Sequence, residues 1–223
     1  GLMHPLLPAL QKGLEGLGLA VSAEQQDQLL AYMDLIAKWT KVYNLTAVRD
    51  ANEMLTHHLL DSLAVVAPLR RELLKLARPE KNAAEAPFSL LDVGAGAGLP
   101  GVVIAITCPD VLVTCVDTVA KKAAFIQQVA ATLKLLNLKG LHARVETLTQ
   151  PYDVVCSRAF ASLVDFTTWS KSALASHGVW MAMKGKHPDQ ELAVLPENIH
   201  VFHVEQLRVP SLDAERCIIW MRG

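Results

Sequence analysis

Hydrophobic and polar positions divide the chain into two regimes. In the first, apolar residues recur at three- and four-residue spacing: Leu29, Met33, Ile36 and Tyr43 mark a helix over 23–42, opened by the capping-box pattern Ser22-Ala-Glu-Gln25. Asp50 followed by Glu53 offers a second cap. Met54, Leu55, Leu59, Leu63 and Val66 then trace another helical stripe, which Pro68 is expected to interrupt, and a short third helix is expected over 70–78. No strand-like alternation occurs in this part of the chain.

From Pro79 to Pro87 the composition turns to Pro, Glu, Lys, Asn and Ala, a polar hinge. Beyond it, short apolar runs alternate with helical patterns: strand 88–93, helix 100–107, strand 111–117, helix 120–136, a short strand near 140–144, strand 153–157, helix 162–175 and strand 178–183. That alternation predicts an α/β fold with a parallel sheet. Residues 200–209 and 217–221 also read as extended. The segment between them is too short for a crossover helix, so an antiparallel hairpin is expected to end the sheet. The expected division is a helical extension with its linker, 1–87, and an α/β domain, 88–223.

Composition narrows the picture. The chain has 223 residues, enough for one sizeable domain or one with an appendage. Hydrophobic residues make up 52 % and mean hydropathy is +0.27, yet no run reaches the ~18 apolar residues of a membrane span. Twenty-one Lys and Arg against twenty-two Asp and Glu give a formal charge of -1, so no global basic field holds a polyanion. A nucleic-acid partner has to be gripped locally or presented by a larger assembly. Cys108, Cys115, Cys156 and Cys217 are scattered without a C-x-x-C pair and read as reduced core residues. With no secretory pattern in the first twenty residues, a cytoplasmic monomer is expected.

Chemistry concentrates around Leu90-Leu-Asp-Val-Gly-Ala-Gly-Ala-Gly-Leu-Pro-Gly101, which reads as strand, glycine loop and helix, with Pro100 at the first helical position. Such a loop brings backbone close to a ligand and aims N–H groups and a helix dipole at it. The pattern is G-x-G-x-G, and Leu99 occupies the third glycine position of a dinucleotide fingerprint. Asp117 closes the next strand about twenty residues on, where an acid accepts hydrogen bonds from ribose hydroxyls; alone it reads equally as a helix cap. Glu146, in Arg144-Val-Glu, follows the third strand, where an acid can reach an adenine edge in folds of this kind; alone it reads equally as a solvated loop acid. Arg158 stands at the end of the fourth strand, facing either a ligand anion or a neighbouring carboxylate. Cys156 lies in an apolar run with no adjacent base, which favours a core thiol over a nucleophile. His57, His58, His200 and His203 match no metal-ligand spacing, and no metal is expected.

Taken together, Tyr43-Asn-Leu-Thr-Ala-Val-Arg49-Asp, His58-Leu-Leu-Asp61-Ser62, the loop 92–101, Arg144-Val-Glu146, Ser157-Arg-Ala-Phe-Ala-Ser162 and Met183-Lys-Gly185 closely resemble the bacterial 16S ribosomal RNA guanine-N7 methyltransferases, also called the glucose-inhibited division protein B family. The resemblance runs from about residue 22 to the end, in order. It implies a class I S-adenosylmethionine-dependent methyltransferase fold with an N-terminal helical extension, acting on guanine N7 of small-subunit ribosomal RNA (guanine 527 in the family). It further implies cofactor contacts from Gly94, Gly96, Leu99, Asp117, Val145, Glu146 and Arg158. Guanine N7 carries a lone pair and no proton, so no general base is required. RNA-binding candidates are Arg49, Lys122, Arg158, Lys184 and Lys186, with Lys38, Lys41 and Lys121 as further basic positions, and a small-subunit particle is the expected substrate. Two other readings share parts of the pattern: a nicotinamide-dependent oxidoreductase, disfavoured by Leu99, and a non-catalytic ribosome-binding module.

Overall fold

The computed structural model describes residues 2–43, 46, 50–79, 86–158 and 161–223. Two helices open the chain, α1 (Leu7–Leu17) and α2 (Ala23–Tyr43). The first has no counterpart in the expected elements, because Pro5 and Pro8 look like breakers. Pro8 in fact lies in the first helical turn, where its missing N–H has no intrahelical partner to lose. Gly18 ends α1 in the left-handed conformation at φ 66°. Ser22 and Gln25 cap α2 reciprocally: Ser22 N–H donates to Gln25 Oε1 at 3.0 Å and Gln25 N–H to Ser22 Oγ at 3.1 Å.

Asp50 accepts from Asn52 and Glu53 N–H and so starts α3 (Ala51–Met54), which runs into a π-helical segment, Leu55–Leu60, and the turn α4 (Asp61–Leu63). The next helix, α5 (Val66–Leu73), overturns two expectations. Pro68 does not interrupt the stripe, since it sits in the first turn of α5; the break falls before it, at Ala64 and Val65. The helix expected over 70–78 is the end of α5.

The sheet follows the predicted order closely: β1 (Phe88–Val93), α6 (Gly101–Thr107), β2 (Val111–Asp117), α7 (Ala120–Thr132), β3 (Leu138–His142), β4 (Tyr152–Ser157), α8 (Leu163–Ser170) and β5 (Leu174–Lys184). A short helix, α9 (Asp189–Ala193), was not expected from the apolar pattern; the hairpin β6 (His200–Leu207) and β7 (Arg216–Arg222) was. Helix α7 ends at Thr132 instead of 136. Lys134 turns left-handed at φ 55°, and Leu135 N–H folds back to Ala130 carbonyl. Strand β5 starts earlier than expected because Leu174 pairs with Tyr152 across an irregularity in register.

Strand order is β3-β2-β1-β4-β5-β7-β6, with β1 to β5 parallel and β7 antiparallel between β5 and β6. One face, carrying Leu90, Val154, Met181 and Trp220, shares a continuous core with Leu10, Leu29, Tyr32, Ile36, Leu63 and Leu69 of the N-terminal helices. The other face, with Leu91, Val155, Trp180 and Ile219, packs on Leu163 and Phe166 of α8. Opposite the strand ends that bear the glycine loop, Asp153 accepts from Ser89 N–H at 2.9 Å, meets His177 Nε2 at 2.6 Å and pairs with Arg78 at 3.4 Å, tying the chain after α5 to the sheet.

Two contacts place the helical layer and the sheet on the glycine loop. Tyr32, fully buried on α2, donates its hydroxyl to Ala97 carbonyl at 2.6 Å. Asp92, fully buried at the end of β1, accepts from Gly101 N–H at 2.8 Å, and its Oδ1 has no partner among the described residues. Burial pushes the Asp92 carboxyl up to about 7, opposed by the Gly101 hydrogen bond and Arg158.

Two outcomes follow from these contacts. Tyr32→Phe orphans a buried carbonyl and is expected to lower unfolding free energy by about 1–3 kcal/mol, read as a lower urea midpoint at unchanged m. Because the folded-state value of Asp92 lies above its unfolded value, the folded protein holds a proton that the unfolded chain has released between about pH 4 and 7. Across that window Asp92 lowers stability as pH rises, by up to about 1.4 kcal/mol per pH unit. Asp92→Asn is expected to remove that part of the slope in denaturation measured across the same range.

Candidate functional site

The turn after β1 is built to expose one side of its backbone. Gly94, Gly96 and Gly98 have φ of 64°, 57° and 95°, values that disfavour side chains. A Cβ at Gly96 would meet nothing within 4 Å, whereas one at Gly98 would strike Val102 and Ile126. Gly98 is thus dictated by packing on α6 and α7, and Gly96 faces open space.

The loop's N–H groups are not free, contrary to expectation. Gly94 N–H donates to Val116 carbonyl at 2.9 Å, Gly96 N–H to Asp117 Oδ2 at 2.9 Å and Gly101 N–H to Asp92. The aspartates at the ends of β1 and β2 hold the turn in shape. Asp117 also accepts from Val119 N–H at 2.8 Å, holding the turn that leads into α7 as well as bracing the loop; Val119, not Asp117, is the N-cap of α7. Each of its carboxylate oxygens retains acceptor capacity for a hydroxyl.

A cleft of about 270 Å³ opens beside this turn, lined by Val93, Gly94, Val116, Asp117, Thr118, Val119, Lys122, Ala143, Val145 and Glu146. It brings together four of the cofactor candidates from sequence: Gly94, Asp117, Val145 and Glu146. Val145 is buried against it and Glu146 exposed at its rim. Apolar walls with an acid at each end suit a flat heteroaromatic ring joined to a ribose, and the open side of the loop leaves room for the chain beyond. The adenosyl part of S-adenosylmethionine fits such a donor set. Lys122, expected at RNA, lines this cleft instead. Leu99 is 5 % exposed, packs in the core and is not in the lining of this cleft.

Arg158 is not in the lining of this cleft; it follows β4, the strand beside β1, near enough for its charge to act on Asp92. Its Nη1 donates to His57 carbonyl at 2.9 Å and pairs with Asp61 at 3.5 Å, while Nη2 donates to His58 Nδ1 at 3.1 Å. Of its two sequence readings, the structure supports the carboxylate partner. Arg216 adds a second guanidinium, with Nε and Nη2 at 2.7 and 3.0 Å from Asp61. Because a guanidinium only donates, His58 Nδ1 must accept; Nε2, which then carries the proton, meets Thr46 Oγ1 at 2.8 Å. Burial and the Arg158 charge push His58 down to about 4, so it is neutral at physiological pH. Asp213 and Glu215, in the lining of the adjoining cavity, offset the charge that two guanidiniums and one carboxylate would leave.

That cluster borders a cavity of about 640 Å³ closed by Gly185 and the 211–216 segment. Arg216 has no motif at all, and only its approach to Asp61, 155 residues away, reveals it. The π-helical segment presents His57 carbonyl and His58 ring to the same guanidinium, an irregularity of the kind often placed at functional sites.

Of the remaining basic candidates, Lys184 is committed to Ala161 carbonyl at 3.0 Å and Glu191 at 3.1 Å, which ties β5 to α9 and removes it as a free phosphate contact. Lys186 is exposed. Arg49 lies outside the described residues. Cys156 is fully buried, and burial raises its thiol well above the usual range, against a nucleophilic role.

Comparison with known proteins assigns the family. The model of the family described as rRNA small subunit methyltransferase G (GidB) matches residues 25–219. The chain is 70 % identical over 213 residues to Ribosomal RNA small subunit methyltransferase G of Polaromonas sp. (strain JS666), covering 96 % of this chain and 92 % of that one. It is 65 % identical over 214 residues to the protein of the same name from Acidovorax sp. (strain JS42), covering 96 % and 94 %. Among solved structures it is similar in fold to TrmN from Thermus thermophilus, with TM-score 0.51, 16 % identity, and coverage of 74 % of this chain and 52 % of that one. The sheet is that of the class I S-adenosylmethionine-dependent methyltransferases, and by its match over nearly the whole length the chain belongs to the rRNA small subunit methyltransferase G family.

Proposed function

We propose that this protein methylates N7 of a guanine in 16S ribosomal RNA, guanine 527 by the family pattern, with S-adenosylmethionine as donor. The observation that carries the reading is the convergence of Gly94, Asp117, Val145 and Glu146 on one cleft beside an open glycine turn, in a chain of this family. The cofactor supplies an electrophilic methyl on a sulfonium. Asp117 accepts from the ribose, Glu146 meets the adenine edge, and the Gly94–Gly96 backbone leaves room for the remaining chain.

The target base enters the cavity bordered by Arg158 and Arg216, whose guanidiniums offer planar donors to it. Guanine N7 has an in-plane lone pair and no proton to lose, so no side chain has to act as a base. The protein's contribution is to hold N7 and the methyl in line, which is worth ~7–11 kcal/mol in favourable cases. With a near-neutral total charge, affinity for naked RNA is weak, and the substrate is a protein-containing small-subunit particle met by a single copy of the chain.

S-adenosylhomocysteine is expected to raise the melting temperature and NAD to leave it unchanged, by linkage to the folded state. Gly94→Val, which fills the cleft wall at a positive φ, is expected to weaken S-adenosylhomocysteine binding at least tenfold in calorimetry, and unchanged affinity in a folded variant contradicts the site. With labelled S-adenosylmethionine, small subunits from cells lacking the protein are expected to accept methyl at a guanine N7 while free 16S RNA accepts little. Equal labelling of both contradicts the particle as substrate.

A further inference from the structure

The spacing of Leu29, Met33, Ile36 and Tyr43 puts Tyr43 on the buried stripe of α2, and the structure does not. Tyr43 is 42 % exposed, and its neighbour Val42 is 69 % exposed. The helix here runs beyond the body it packs on. Trp39, one turn earlier, fixes the end in place: its ring lies 4.9 Å from Tyr43 and 5.3 Å from the buried Phe125 of α7. One side of Tyr43 is thus supported by a rigid aromatic stack, and Lys121 Nζ sits 5.0 Å from the ring centroid.

On the two helix segments beside this ring the charged residues have one sign. The last nine residues of α2, Leu35–Tyr43, contain Lys38 and Lys41 and no acid, and α7 contains Lys121 and Lys122 and no acid along its whole length. Lys38, Lys41 and Lys121 are exposed. The patch adjoins the cofactor cleft, because Val119, 44 % exposed, and Lys122 line that cleft and stand two residues before and one residue after Lys121. An exposed, braced aromatic ring among lysines is the arrangement by which proteins bind unpaired nucleotides, the ring stacking on a base and the ammonium groups meeting phosphates.

We propose that the end of α2 and the start of α7 form a docking surface for a single-stranded stretch of the ribosomal RNA substrate, with Tyr43 as a stacking platform for one of its unpaired bases. The inference rests on the RNA substrate proposed above and adds to it a surface and a base-contacting residue outside both cavities. In the absence of RNA, Lys121 covers the ring. An incoming base takes the ring face, and the ammonium moves to the adjoining phosphate. Because the patch adjoins the cleft, docking here holds the strand beside the methyl donor.

The test is equilibrium binding of small subunits from cells lacking the protein, at fixed magnesium and graded potassium chloride. Tyr43→Leu keeps an apolar contact with Trp39 and removes the ring; it is expected to weaken binding about 5- to 50-fold, with melting temperature and S-adenosylhomocysteine affinity unchanged. Tyr43→Phe, which keeps the ring, is expected to recover most of the lost affinity. The double variant Lys41→Gln/Lys121→Gln, altered only at exposed positions, is expected to lower the salt slope by about 0.7 per lysine. Wild-type affinity and slope in the Leu and Gln variants overturn the surface, and loss in the lysine variant alone overturns the stacking role. A wild-type protein that binds subunits yet transfers no methyl contradicts the reaction and leaves this binding test readable.

Discussion

The turn from Asp92 to Gly101 is held by acceptors that belong to the protein itself, and the rest of the site depends on that bracing. Asp117 takes Gly96 N–H, Asp92 takes Gly101 N–H and Tyr32 gives its hydroxyl to Ala97 carbonyl. A glycine-rich turn loses much conformational entropy on ordering. Here that cost is offset by hydrogen bonds from three different elements, two of them fully buried, before any ligand arrives. The cofactor then meets a formed cleft, which favours affinity because little ordering remains to be done on binding.

The same bracing explains why the N-terminal helices matter to a reaction centred on the sheet. They share the hydrophobic core of one sheet face, they supply Tyr32 to the glycine turn, and through His57, His58 and Asp61 they hold Arg158. Asp61 in turn fixes Arg216 from β7. One carboxylate on the helical layer therefore orients two guanidiniums, one just after β4 and one at the start of β7, at the larger cavity. The neutral, Nε2-protonated His58 completes this arrangement without adding charge.

Most of the fold was legible in the sequence because short-range physics writes it. Alternating apolar runs located β1 to β5, and the short link before Cys217 required an antiparallel hairpin. The prolines misled for a definable reason: Pro8 and Pro68 both occupy first helical turns, where a missing N–H costs little, and nothing local distinguishes that from a break. At the site, the acids at 117 and 146 were legible because strand ends place them by topology. Arg158 and Lys184 were legible as residues but not in their partners. Asp61 and Glu191 reach them only through tertiary packing, and no spacing rule reports that. Tyr43 shows the opposite failure, a residue in phase with the buried stripe that the helix carries past the edge of the core.

That the turn is formed by the protein alone is tested most directly by amide hydrogen exchange at Gly96 and Gly101, with and without S-adenosylhomocysteine. The bracing by Asp117 and Asp92 predicts strong protection of both amides in the free protein, with little further slowing on binding. Rapid exchange of both in the free protein, slowed only by the ligand, would show that the cofactor builds the turn and would contradict the account.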